Sequence, residues 1–117
     1  MTHDAASFYD TWPKTMQNMK EQAPDLGKAF GAMYAPLMRD GALSVREKEL
    51  IALGIGLAIR CEPCVFAHME KAVEAGATKE QILELAGVVI TMQGGPGYVH
   101  VPLLLEAYEA VMSRRDG

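Results

Sequence analysis

The chain has 117 residues, enough for one domain and too few for two that would each bury a stable core. Apolar types make up 50% and charged types 22%, which excludes global disorder; a net charge of −4 without any Lys/Arg block argues against a nucleic-acid partner. A mean hydropathy of +0.03 is high for so small a domain and points to apolar surface closed against further copies in a homo-oligomer.

The N-terminus, Met1-Thr2-His3-Asp4, has no basic segment leading into an apolar run, so no signal peptide is expected and His3 reads as terminal and unstructured. No repeat and no strand-type alternation stands out, and the spacing favours helices throughout. Phe8, Trp12, Met16 and Met19 form a helical stripe between Asp4 and about Gln22, with an interruption possible at Pro13. Pro24 and Asp25 open a second helix carrying Leu26, Phe30, Met33, Tyr34 and Leu37 on one face, ending near Asp40-Gly41 with Gly suited to the C′ position.

Ser44 and Glu47 fit a capping box that starts a third helix, running to about Arg60. Its segment Leu50 to Ile59 is apolar on most sides and should be central. At ten residues it is far short of the about 20 that cross a bilayer, so no membrane partner is expected and the chain reads as soluble and cytoplasmic. Gly54 and Gly56 weaken the helix and suit close approach of a neighbour. A fourth helix starts near Cys61, with Pro63 early, and reaches about Gly76. Thr78 and Gln81 form a second capping box for a fifth helix, which Gly94-Gly95-Pro96-Gly97 breaks. A last helix covers about Val99 to Arg114, with Pro102 in its first turn. The expectation is one all-α domain of about six helices over 1–117, with N-terminal helices in 1–42 and a core over 43–112.

Two cysteines spaced C-x-x-C, in a chain with too few for a secreted scaffold, point to redox chemistry or a metal. At about 100° per residue, Cys61, Cys64 and His68 fall within about 60° of arc on one helix face, with Cys64 and His68 an i, i+4 pair. A thiol near pKa 8.5 is mostly protonated at pH 7, roughly speaking, and only the thiolate attacks. The helix N-terminus favours Cys61 as the activated sulfur, whereas the imidazole favours Cys64, and the residues alone leave both open. Glu49 enters as a carboxylate inside an apolar helix that needs a partner or a polar site, while Glu47 already has a role in the capping box. A metal reading competes: both cysteines and His68 with Glu49, His100 or water as a fourth ligand, although the second close ligand pair of a structural zinc site is missing. His100 reads as a surface histidine, and the methionines, among them Met33, Met38, Met69 and Met92, as packing fillers. Trp12, Tyr34 and Tyr98 read as core or interface aromatics.

Arg46-Glu47-Lys48-Glu49-Leu50, then Cys61-x-x-Cys64-x-x-x-His68, then Ala75-Gly76-Ala77-Thr78 and the apolar helix after it, resemble the alkylhydroperoxidase D-like (carboxymuconolactone decarboxylase-like) family over roughly Leu43 to Val111. The resemblance implies an all-helical bundle assembled as trimers or hexamers, reducing hydroperoxides with electrons from an external dithiol and needing no cofactor or metal. It implies that Cys64 attacks the peroxide, Cys61 resolves the intermediate, and Glu49 and His68 relay the proton. In some peroxidases of the family a histidine stands between the cysteines; here Glu62 and Pro63 do. The decarboxylase branch typically lacks the cysteine pair. The alternatives are a non-catalytic thiol- or metal-binding redox sensor, or lactone chemistry on the same scaffold.

Overall fold

Residues 4–116 are described by a computed structural model, and every regular element among them is a helix. The expectations for His3 and the first residues lie outside this span. In order the helices are α1 (Ala5–Gln22), α2 (Pro24–Met38), α3 (Val45–Ala58), α4 (Glu62–Glu74), α5 (Lys79–Gln93), α6 (Gly95–Val99) and α7 (Val101–Asp116). The short α6 is the one element the sequence reading did not separate. It occupies the Gly94–Gly97 break, where Gly97 lies so close to α5 that a Cβ would stand 3.1 Å from the Val89 carbonyl oxygen.

Both capping boxes form. Glu47 N–H donates to Ser44 Oγ at 3.0 Å and Ser44 N–H to Glu47 Oε1 at 2.8 Å; Thr78 and Gln81 repeat the exchange at the start of α5. These bonds satisfy helix N–H groups that have no partner within the helix. Pro13 does not interrupt α1. The packing of Phe8, Tyr9 and Trp12 before it, and of half-buried Met16 and Met19 after it, outweighs the local proline penalty.

Two helix ends differ from expectation. The second helix stops at Met38, and Gly41 does not cap it with a left-handed turn. Lys48 Nζ on α3 instead donates to the carbonyls of Leu37 and Arg39, at 2.9 and 2.7 Å, and satisfies the orphaned helix end from outside. The third helix ends at Ala58, and Arg60 takes φ 58°. Arg60 N–H bonds the Leu57 carbonyl and Cys61 N–H the Gly56 carbonyl, the paired bonds of a Schellman turn.

The core gathers Leu53 and Leu57 of α3, Val65, Phe66 and Met69 of α4, Ile82 of α5 and Leu104 of α7, with Phe8 and Tyr9 of α1 laid against Phe66. Tyr9 donates its hydroxyl to the Phe66 carbonyl at 2.5 Å. Burial, reinforced by the Glu70 carboxylate and opposed by Arg114, pushes the Tyr9 phenol above its ordinary range, so it remains a donor. The expectation that α3 is central holds for one face only: Ile51 and Ile55 are exposed on the other, as is Ile59 at the C-cap. The methionines divide too, since Met69 fills the core while Met92 is 80% exposed and Met33 lies open on α2.

The Ser44 bonds hold the Glu47 carboxyl below its ordinary value of 4.5. A depressed carboxylate pKa adds stability above the unfolded value, and that increment is lost as pH falls from about 4.5 through the folded value. Ser44→Ala should cost about 1 kcal/mol and lower the thermal midpoint by a few degrees. Glu47→Gln should flatten the acid limb of a pH-stability curve while keeping most of the neutral-pH stability. Thermal unfolding from pH 7 down to pH 3, roughly, measures both.

Candidate active site

The site lies along the seam of α3 and α4. Gly56 brings these helices together: a Cβ there would stand 3.1 Å from Cys64 Cβ and 3.4 Å from the Val65 nitrogen. Gly54 is less constrained and faces Leu85 and Val89 of α5 at ordinary contact distance. The Schellman turn then delivers Cys61 to the N-cap of α4, with Pro63 in the first turn, where its missing N–H leaves no helix bond unmade.

Cys61 and Cys64 are joined as a disulfide, their Cα atoms 5.2 Å apart. The Cys64 N–H points at Cys61 Sγ at 3.3 Å, so the helix terminus acts on Cys61, as its position in the sequence suggested. Both cysteines are half-buried.

Glu49 is the one buried charged side chain among the described residues, at 4% exposure. Its Oε1 lies 2.7 Å from His68 Nδ1. A buried carboxylate with no donor would cost several kcal/mol, roughly, and the imidazole removes that cost. Nδ1 is engaged by Glu49, and Cys64 stands one turn before His68 on α4, at i, i+4 spacing. The structure therefore brings together Glu49 with His68, and Cys61 with Cys64, on adjacent helices.

His100 is placed elsewhere. Its Nδ1 lies 2.7 Å from the Pro96 carbonyl oxygen, which ties the ring to the α6 turn. Among the described residues no three His, Cys, Asp or Glu side chains converge as a metal site. Tyr34, read as a core or interface aromatic, instead lies over His68 with ring centroids 6.4 Å apart. Lys71 donates to its hydroxyl at 3.0 Å. Neither had a local signal in the sequence, because the contact joins α2 to α4 across 37 residues.

A sequence profile of the carboxymuconolactone decarboxylase family matches residues 24–107. Among similar chains is "uncharacterized protein 4 in cox locus" of Paracoccus denitrificans, 37% identical over 89 residues that cover 76% of this chain and 77% of the relative. An uncharacterised protein of Cupriavidus necator is 33% identical over 75% of this chain and 78% of its own length. A carboxymuconolactone decarboxylase family protein of Legionella pneumophila, solved in its apo form, superposes with a TM-score of 0.87 at 28% identity, covering 94% of this chain and 98% of that one. A Thermotoga maritima family member, whose description suggests involvement in an antioxidative response, superposes at 0.70 with 26% identity over 91% and 89% of the two chains.

Gly56→Ala should force α3 and α4 apart at Cys64. A stability loss of about 1–3 kcal/mol is expected, together with slower disulfide closure after reduction. Chemical denaturation and the rate of thiol loss on re-oxidation report the two effects, and wild-type values for both would show that the close approach is not required.

Proposed function

The chain belongs to the carboxymuconolactone decarboxylase family, and from its paired cysteines and buried relay we propose that it is a thiol-dependent peroxidase that reduces hydroperoxides. The observation that carries this reading is the 2.7 Å contact of Glu49 on α3 with His68 on α4, where His68 stands one turn beyond Cys64 of a pair able to close as a disulfide.

In the reduced protein His68, oriented by Glu49, takes the Cys64 proton. The thiolate attacks the distal peroxide oxygen, the O–O bond breaks, the alkoxide takes a proton from His68 and leaves as an alcohol, and Cys64 becomes a sulfenic acid. Cys61 attacks that sulfur, releasing water and forming the disulfide. An external dithiol then returns two electrons: its first thiolate opens the disulfide to a mixed disulfide, its second closes on the first, and both protein thiols are restored. The scheme needs no cofactor or metal. It suits a reducing compartment, and we assign the cytoplasm; no helix among the described residues is long and apolar enough to cross a membrane.

The assembly we propose is a homo-oligomer, a trimer or a hexamer. Its support is apolar surface that one chain leaves open: Leu26, Phe30 and Leu37 on α2, and a groove of about 410 Å³ between α3 and α5 edged by Ile51, Ile55, Val88 and Met92. None of the four site residues lines that groove, so it is distinct from the proposed chemistry.

With a dithiol reductant, Cys64→Ser should abolish peroxide turnover, and in the wild type one equivalent of peroxide should consume two thiols per chain. Two intact thiols after peroxide treatment at neutral pH would falsify the proposal. Lactone chemistry, by contrast, would survive loss of both cysteines. His68→Ala should move the alkylation profile of reduced Cys64 to higher pH, because the imidazole no longer stabilises the thiolate; an unchanged profile removes His68 from the relay.

A further inference from the structure

The second helix buries no residue, yet one of its side chains reaches the relay. Tyr34 is half-buried, and its ring lies nearly parallel to the His68 imidazole, 24° between planes and 6.4 Å between centroids. Lys71, one turn beyond His68 on α4, donates to the Tyr34 hydroxyl at 3.0 Å and sets its ammonium 4.5 Å from the ring centroid. Phe30 supports Tyr34 from its own helix, with centroids 5.4 Å apart. Lys48 pins the C-terminal end of α2 through the Leu37 and Arg39 carbonyls. The second helix is thus fastened at two points, one to each of the helices that carry the site.

A single hydrogen bond fixes one atom of an imidazole and leaves the ring free to pivot about it. The Glu49 contact alone therefore does not determine where the second ring nitrogen points. A flat partner lying over the ring restricts that pivot, and offset aromatic pairs at such distances contribute about 0.5–1.5 kcal/mol. We propose that Tyr34, held by Lys71, is a positioning residue that keeps the His68 ring in the orientation in which Nδ1 meets Glu49, leaving the other nitrogen for the proton transfer of the proposed relay. The inference rests on the relay of the proposed peroxidase reading and extends it to a helix outside the cysteine motif.

The test compares wild type with Tyr34→Phe, Tyr34→Leu and Lys71→Met in the reduced protein. The first readout is the pair of His68 imidazole nitrogen-15 shifts above its titration midpoint, assigned among the three histidines by their loss in His68→Gln. The second is the pH dependence of Cys64 alkylation in a Cys61→Ser background. Tyr34→Phe keeps the ring over His68 and the Lys71 ammonium over that ring but loses the hydroxyl that Lys71 bonds, and should change both readouts by no more than Lys71→Met. Tyr34→Leu should lose the preference for a proton on Nδ1 and slow alkylation at neutral pH about three- to tenfold, with the profile moved to higher pH. Lys71→Met should change both in the same direction by less. A Tyr34→Leu protein of wild-type helicity that retains the nitrogen shifts and the alkylation profile overturns the inference; should that variant unfold, the same unchanged readouts in Lys71→Met overturn it. The nitrogen shifts need no peroxide. A Tyr34-dependent tautomer in a protein without peroxidase turnover keeps this inference and sinks the functional reading, whereas turnover with a Tyr34-independent tautomer does the opposite.

Discussion

Everything at the candidate site depends on how closely α3 and α4 approach. Gly56 permits the contact at Cys64, and the Glu49–His68 pair bonds across the same seam. These two features reinforce each other. Without a side chain at Gly56 the helices close up, and closure removes Glu49 from water, which makes the imidazole contact obligatory. A carboxylate at 4% exposure tolerates little rotation of either helix, because any displacement that lengthens its bond leaves a charged group unsatisfied in a low-dielectric setting. The core residues Leu53, Leu57, Val65 and Phe66 continue the seam and oppose its opening.

The turn between these helices carries a second constraint. Arg60 has φ 58°, a conformation in which a side chain costs about 1 kcal/mol and for which glycine is the usual choice. The same motif closes α4, where Gly76 sits at φ 95° and its neighbours make the equivalent pair of bonds, Gly76 to Val73 and Ala77 to Ala72. Arg60 is tolerated because two backbone bonds and the start of the next helix determine its geometry together. The outcome is a fixed distance from the last turn of α3 to Cys61, so the first cysteine meets the N-terminus of α4 rather than trailing on a loop.

How much of this could be read from the sequence depends on the range of each interaction. The capping boxes at Ser44 and Thr78 were legible because both partners lie within four residues and the chemistry is local. Cys61, Cys64 and His68 were legible because helical periodicity alone places them on one face. Glu49 was half-legible. Its place in an apolar run required a partner, and the capping role of Glu47 removed the competing acid, but nothing local put His68 19 residues away at its carboxylate. The cap that Lys48 provides for α2 and the reach of Tyr34 to His68 were invisible. Each depends on where a helix docks, and composition does not encode that.

The second helix is the clearest case of structure organised around a site rather than a core. No α2 residue belongs to the hydrophobic cluster shared by α1, α3, α4, α5 and α7 among the described residues. Its own apolar side chains, with Phe30 at 59% exposure, face away from that cluster. Most helical stability in proteins comes from burying an apolar face, so a 15-residue helix with none buried must be held by other contacts. Besides its packing against α1, where a Cβ at Gly27 would stand 3.1 Å from the Lys20 side chain, these include the Lys48 bonds from α3, the Lys71 bond from α4 and the ring of Tyr34 on His68. The family match begins at Pro24, the first residue of α2, so this helix is part of the family unit although the core of one chain closes without it. A helix retained on those terms has two faces to account for: an inner one that reaches His68 through Tyr34, and an outer apolar one whose burial is what the proposed assembly supplies.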